Sequence, residues 1–298
     1  MTPNAIIFAV IAALLLAGAL YYQRRRRARW GDVAIAMPAQ PRAGLHYVYY
    51  MSLPGQTAQV ADHTTLVWHA QFYGPDQLQA ELQGRPHGLV LDCAPQLMER
   101  KGGKSYAAPT ARTALAAFFT DLRQRGLLGR VQYLTPMDEP NLFCASEAEL
   151  QTAMAILRGV AGEFPELAGV RYLCIYGFDC RALWCFDQFD LVGVDNYDQK
   201  SETLTRGAHA ELMRALLPHQ QAMVLPGAAY GQDPAPFVAY AHAEPRCWGV
   251  VPFIWCHVPA SADKEGWTGL QLQGQAAQER YRQAGMAVLD RQGGEADK

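Results

Sequence analysis

The residues of this chain with the most chemical potential are carboxylates, amides and aromatics that recur where short apolar runs end. The run VQYLT leads into Pro136-Met137-Asp138-Glu139-Pro140-Asn141, and LVGVD leads into Asp195-Asn196-Tyr197-Asp198. Asp92 closes GLVLD, while Trp68, His69 and Gln71 sit at the end of an earlier run. Ser52 follows the first run, Tyr176 and Asp179 end a middle one, Tyr230 follows Pro226-Gly227, and Trp255 and His257 end the last. Carboxylates hold protons or transfer them, and carboxylates and amides bind hydroxyls. Tyr and Trp rings offer flat apolar faces with a polar edge. Together they suit a carbohydrate ligand, whose hydroxyls need partners and whose ring faces need apolar cover.

Such residues meet only if the runs are strands of one sheet. Eight β-rich runs, each bounded by Gly, Pro or Asp, lie at 45–51, 65–72, 88–93, 131–135, 170–176, 191–196, 222–225 and 249–255. Helical patterns separate several of them. The segment 109–125 opens with Pro109, repeats Leu115, Phe118, Phe119 and Leu122, and stops at Gly126. The segment 146–164 opens with the capping pair Ser146 and Glu149 and carries Leu150, Met154, Leu157 and Val160 on one face. Further helices fit 204–217, 234–243 and 273–289. Strand then helix, repeated over roughly 245 residues with continuous apolar strands, predicts an α/β fold of the (β/α)8 TIM barrel type. An open doubly wound sheet would place a Gly-rich phosphate turn after the first strand, and none is there. The connections after the first and fifth strands are short for full helices. In such a barrel the carboxyl ends of the strands form one rim, so the residues named above converge.

The 298 residues are 50% hydrophobic and 18% charged, which excludes a disordered chain. Seven cysteines, an odd number without a CxxC pair, argue against a disulfide framework and a zinc knuckle and read as mostly buried thiols in a reducing compartment. The formal charge of −2 sums two unlike parts. Residues 5–22 carry no charge and, at 1.5 Å per residue, would span about 27 Å as a helix, enough for a bilayer core. Arg24, Arg25, Arg26, Arg27 and Arg29 follow at once, leaving 21 basic against 28 acidic residues, or −7, in the remainder. An acidic remainder is poorly suited to nucleic acid. A cleaved signal peptide would carry its positive charges before the apolar run. The expected organisation is therefore a transmembrane anchor with basic flank at 1–30, a Pro-containing linker at 31–43 and the barrel at 44–298. The arginine flank predicts a single-pass membrane protein with a cytoplasmic barrel, the periplasm or the exterior being the alternative.

The stretches YLTPMDEPN (133–141), VGVDNYD (192–198) and PFIWCHVP (252–259) resemble the cellulase-like glycoside hydrolase superfamily of (β/α)8 barrels. The resemblance covers the layout from Gly44 to Leu289, but only these three motifs in detail. It implies an acid/base role for Glu139 and a sugar-platform role for Trp255. It also implies a nucleophilic glutamate at the end of the seventh strand, where MVLPGAAYG (223–231) has no carboxylate. Without that partner, retaining chemistry, which needs two carboxylates about 5–5.5 Å apart, is not supplied; inverting chemistry tolerates about 6.5–9.5 Å. The fourth and sixth strands lie two spacings apart, roughly 10 Å, so inward-leaning side chains bring Glu139 as acid and Asp195 as base into that range, with Asp92 the second candidate. Asp138, if the chain stays extended, points to the opposite side. The expected ligand contacts are Asp92, Trp68, His69, Asp138, Asn141, Asn196, Tyr197, Tyr230, Trp255 and His257.

Plain structural roles stand beside these. Asp195 would serve as an Asx-turn residue, Asp92 as partner to a neighbouring Arg or amide, Trp255 as core, and His69 and His257 as backbone-satisfied side chains. Gly102-Gly103-Lys104-Ser105 ends like a phosphate loop, but Met98 stands where the first glycine is required, so a mobile basic loop is expected. No GxSxG elbow is present, and the first strand offers His46 without a second clustered histidine, so the expected site uses neither metal nor cofactor. Two function classes follow: a membrane-anchored glycoside hydrolase, or a degenerate barrel that binds a glycan or a protein partner without hydrolysis. The orientation is testable by fusing reporters to the C-terminus. A reporter active only in the cytoplasm should work, and activity from a periplasm-only reporter would overturn the arginine-flank assignment.

Overall fold

A computed structural model describes residues 44–50, 56–69, 74–178, 180, 182–258 and 266–289. The apolar run, arginine flank and linker lie outside the described residues, as do Ser52, Gln71 and Asp179. Among the described residues no helix is long and apolar enough to cross a membrane.

The described strands are β1 (His46–Tyr47), β2 (Leu66–His69), β3 (Gly88–Asp92), β4 (Met98–Lys101), β5 (Lys104–Ala107), β6 (Val131–Thr135), β7 (Arg171–Gly177), β8 (Leu191–Asp195), β9 (Gln221–Val224) and β10 (Cys247–Val250). Eight of them form one sheet in the order β1-β10-β9-β8-β7-β6-β3-β2, every pairing parallel. Each strand lies beside its neighbour in the β/α sequence, which gives a near-closed barrel. At the seam, Thr65 N donates to Tyr47 O at 2.9 Å.

Side chains alternate across a strand, and the barrel sorts them by that period. Val48, Tyr50, Val90, Leu173, Ile175 and Leu191 fill the interior. Their sequence neighbours Leu89, Leu91, Cys174, Tyr176 and Val192 pack outward against helices. Across the interior, Trp248 Nε1 donates to Tyr133 Oη at 2.8 Å, joining β10 to β6. The seven cysteines are free thiols, six of them buried.

The helices are α1 (Thr57–Val60), α2 (Pro75–Leu82), α3 (Ala94–Leu97), α4 (Ala111–Gln124), α5 (Pro140–Phe143), α6 (Glu147–Ala161), α7 (Ser201–Leu204), α8 (Ala208–Ala215), α9 (Ala235–Ala243) and α10 (Gln275–Leu289). The connection after β1 holds the four-residue α1, and that after β7 holds a 3-10 turn at Phe186–Gln188. Both are short, as expected. The helix expected over 204–217 is instead two, α7 and α8, separated at Thr205–Gly207. Ser146 caps α6 by accepting from Glu149 N at 3.3 Å, but the Glu149 carboxylate accepts from Ala107 N at 2.9 Å rather than closing the capping box. It thereby ties α6 to a structure the sequence reading missed. The basic loop is an antiparallel hairpin of β4 and β5 turning at Gly102 and Gly103, with φ of 58° and 79°. Two successive positive-φ residues suit a two-residue hairpin turn, and glycine adopts them without steric cost.

Gly285 on α10 marks the closest approach of helix to barrel. A Cβ there would lie 2.2 Å from His63 O and 2.9 Å from the Tyr47 ring. Gly→Ala inside a helix ordinarily stabilises by about 0.5–1 kcal/mol. Gly285→Ala should reverse that sign and destabilise by about 1–3 kcal/mol through overpacking, read from denaturant unfolding of wild type and variant.

Candidate active site

Four carboxylates meet at the carboxyl end of the barrel. Asp92 is the last residue of β3 and shares the inward parity of Val90. It is 4% exposed; its Oδ1 accepts from Ala94 N at 2.9 Å and its Oδ2 has no partner. Asp195 is the last residue of β8, inward like Leu191, and 9% exposed. Its Oδ2 accepts from Tyr197 Oη at 2.6 Å, and its Oδ1 has no partner.

The other two come from the loop after β6. Glu139 takes a left-handed conformation, φ 40° and ψ 56°, immediately before Pro140 opens α5. A non-glycine residue there costs about 1–3 kcal/mol, a strain that clusters at functional sites. The turn is bracketed on β7. Glu139 N donates to Ile175 O at 3.1 Å, and Asn141 clasps Gly177 on both sides, Nδ2 to Gly177 O at 3.0 Å and Oδ1 from Gly177 N at 2.9 Å. Gly177 faces inward, and a Cβ on it would lie 2.5 Å from Glu139 Oε1 and 2.2 Å from Leu142 Cδ1. A side chain at 177 would displace that carboxyl and the Leu142 side chain. Gly177 pairs with Asp195 across the β7–β8 ladder, so the Glu139 carboxyl stands about one strand spacing, roughly 5 Å, from the strand bearing Asp195. The backbones of β6 and β8 remain two spacings apart, as strand counting expects, and the left-handed turn leans the Glu139 carboxyl over β7 toward Asp195.

Asp138 does not point away. The chain leaves extended geometry after Thr135, and the left-handed turn at Glu139 puts both acids on the cleft side. Asp138 is the electrostatic centre of the group, its charge raising the pKa of Asp92, Glu139 and Asp195 alike. Burial is the larger cause in each case. Asp92 is pushed up to about 7, with Asp138 adding to burial and the Ala94 amide opposing it. Asp195 is pushed up to about 8, with Tyr197 opposing and Asp138 adding. Asp138 is also raised by burial, held back by the Tyr50 hydroxyl and the Glu139 amide. Glu139 is raised furthest, by burial and then by Asp138 and Asp195. The group thus separates into an acid that keeps its proton, Glu139, and a neighbour that ionises first, Asp138.

Aromatic rings continue the cleft. Tyr197 stacks on Phe253 at 4.9 Å and on Tyr230 at 5.0 Å between centroids, and Tyr230 is 56% exposed. Trp267 meets Phe253 edge-on at 5.5 Å. Trp68 lies inside the barrel against Tyr50 at 4.9 Å. The His257 Nδ1 is buried without a partner. Asn196 works within its loop, donating to Phe178 O and accepting from Asp198 N, both at 3.3 Å. His69 ends β2, and its side chain lies outside the described residues. Trp255 is elsewhere. It packs in the outer layer with Tyr47 and Tyr49, donates from Nε1 to Gln59 Oε1 at 2.8 Å, and lines a surface groove of about 800 Å³ with His63 and Gln271. β10 ends at Val250, so Phe253 and Trp255 lie past the strand where alternation no longer applies: Phe253 packs with the interior group and Trp255 with the outer layer. Phe253 and Trp267 were missed for that reason and because Trp267 lies past the last strand. Among the described residues no group of three or more His, Cys, Asp and Glu side chains is arranged to hold a metal ion.

No protein-family model matches the sequence, and no curated protein matches it. Solved structures do. A β-glucuronidase from an uncultured Clostridium sp. superposes with a TM-score of 0.56 at 11% identity, over 82% of this chain and 50% of that one. The β-D-glucuronidase of Dictyoglomus thermophilum gives 0.54 at 9%, over 78% and 46%. The GH2 β-galacturonidase of Eisenbergiella tayi, bound to galacturonate, gives 0.52 at 10%, over 78% and 47%. The shared property is the barrel fold. This chain spans half or less of the length of those glycosidases.

Gly177→Ala should dislodge the Glu139 carboxyl while leaving the barrel folded. Carbon-13 carboxyl NMR should then show the Glu139 titration falling toward the ordinary carboxylate range. An unchanged titration would mean that Gly177 does not make room for that group.

Proposed function

We propose that this chain is a membrane-anchored, glycoside hydrolase-like barrel that acts on a carbohydrate without a cofactor. Glu139 is the general acid, and Asp195 directs a water through its unpartnered Oδ1. The carrying observation is Glu139 held in a left-handed turn over Gly177, beside the strand that ends in Asp195. Burial and the Asp138 charge keep the Glu139 proton in place at neutral pH, as an acid requires. Phe253, Tyr197 and Tyr230 supply the ring-stacking wall, and Asp92 and Asp138 the polar contacts to hydroxyls. His257 and Trp68 complete the lining. Asn141 holds the acid loop rather than the sugar. The glycosidases of similar fold support a carbohydrate ligand, and the arginine flank supports a cytoplasmic barrel on a single-pass anchor.

A second reading is binding without hydrolysis. It is favoured by the run after β9, where Met223–Gly231 has no carboxylate, and by Asp195 itself, which at about 8 is mostly protonated at neutral pH. The two readings separate on a glycan panel with wild type and Glu139→Gln. Hydrolysis predicts that the amide lowers turnover by about 10²–10⁴-fold. The pH profile follows from the signs: activity rises as Asp195 loses its proton near 8 and falls as Glu139 loses its own above that, giving an optimum alkaline of neutrality. Proton NMR of the first product anomer should show inversion. Turnover unaffected by Glu139→Gln would remove the acid role, retention would remove the water from Asp195, and binding by both proteins without turnover would support the second reading.

A further inference from the structure

Four acids converge on one cleft, and no basic side chain among the described residues enters the electrostatics of any of them. Among the described residues, every charged neighbour that shifts Asp92, Glu139 or Asp195 is another acid. Lys104, which reaches the same loop, is engaged with the Leu142 carbonyl at 2.6 Å. The cluster is unfinished. Asp92 Oδ2 and Asp195 Oδ1 lack hydrogen-bond partners, and the Tyr50 hydroxyl, on a residue 3% exposed, lies near Asp138 without a hydrogen bond of good geometry to it or to any other group. Tyr50 lies against Asp138 and feels Asp195 and Tyr197. Buried polar atoms left without partners are costly, and a ligand that donates several hydrogen bonds removes that cost.

A uronate would bring a fifth carboxylate into this space. Its charge would face the ionised Asp138 in a water-poor site, where like charges repel strongly, and there is no guanidinium or ammonium among the described residues of the cleft to receive it. A sugar ammonium is the opposite case. It carries three donors for the unpartnered oxygens of Asp92 and Asp195, it is attracted by the acid that ionises first, Asp138, and the exposed Tyr230 ring beside it attracts cations. We infer that the ligand is an amino sugar with a free, protonated amine, held by Asp92, Asp138 and Asp195 while its ring stacks on the tyrosine wall. The inference rests on the carbohydrate reading above and narrows its substrate class. It sets this cleft apart from the uronate-processing enzymes whose fold it shares: the galacturonidase structure holds galacturonate, an anionic sugar.

The test uses the full chain in a neutral, non-glycosidic detergent, carrying Glu139→Gln to prevent turnover. Calorimetric titration compares a glucosamine oligomer, its N-acetylated counterpart and a galacturonate oligomer, each in the available linkages, with spermidine as a sugar-free amine. The free-amine oligomer should bind at least 10-fold more tightly than the acetylated one, and galacturonate should not bind. Asp92→Asn, isosteric and checked for folding by its thermal melt, should shrink the preference. Equal or tighter binding of the acetylated or uronate oligomer would overturn the amino-sugar inference and leave the carbohydrate reading intact. Spermidine binding as tightly as the glucosamine oligomer would also overturn it. Absence of binding by any sugar would overturn both.

Discussion

Four carboxylates share one poorly hydrated space at the open end of the barrel, and the rest of the fold has to hold them there against their own repulsion. Each would be more stable in water, as the upward pKa displacement of all four shows. Folding therefore raises the pH at which each of them releases its proton. The cost is concentrated around Asp138, whose charge acts on the other three. It is offset elsewhere, by an interior packed with Leu, Val, Ile, Tyr and Trp and by outer layers in which the helices cover the strands. A stable scaffold carrying a destabilised site is the usual arrangement where a site needs charges it cannot comfortably keep.

The acid loop shows how local strain and tertiary support combine. A left-handed Glu139 before a proline is unfavourable by itself, and α5 is only four residues long. The loop persists because Asn141 grips both polar groups of Gly177 and because the Glu139 amide finds the Ile175 carbonyl. Gly177 serves both purposes, presenting its backbone to Asn141 and leaving its absent side chain's space to Glu139. The hairpin of β4 and β5 buttresses the same region: Lys104 reaches the Leu142 carbonyl and Ala145 N donates to Ser105 O at 2.8 Å. A loop that reads as basic and mobile in sequence is thus part of the wall behind the acid.

Fold and chemistry are related asymmetrically here. The barrel is shared, at 9–11% identity, with glycosidases of which this chain spans half or less, so what is common is the scaffold. Where the cellulase-like resemblance implies a glutamate after the seventh barrel strand, this chain has Gly227 beneath the Tyr197 ring. An aromatic stack occupies that position, and the buried carboxylates gather at the β6, β3 and β8 ends.

The sequence alone determined the eight barrel strands, the alternation that turns Asp92 and Asp195 inward, the start of α6 at Ser146 and the uneven distribution of charge. These are local: a period of two, a cap, a run of arginines, each written in neighbouring residues. Tertiary structure decided which acids meet. Asp138 is central only because Glu139 turns left-handed over a glycine 38 positions later, and no spacing rule joins those two residues. Phe253 rather than Trp255 lines the cleft because both lie past the end of β10 at Val250, where the period of two has ended and packing against the interior and outer layers places each ring. Periodicity tells which face a side chain takes; barrel closure, through contacts far apart in sequence, decides what it faces.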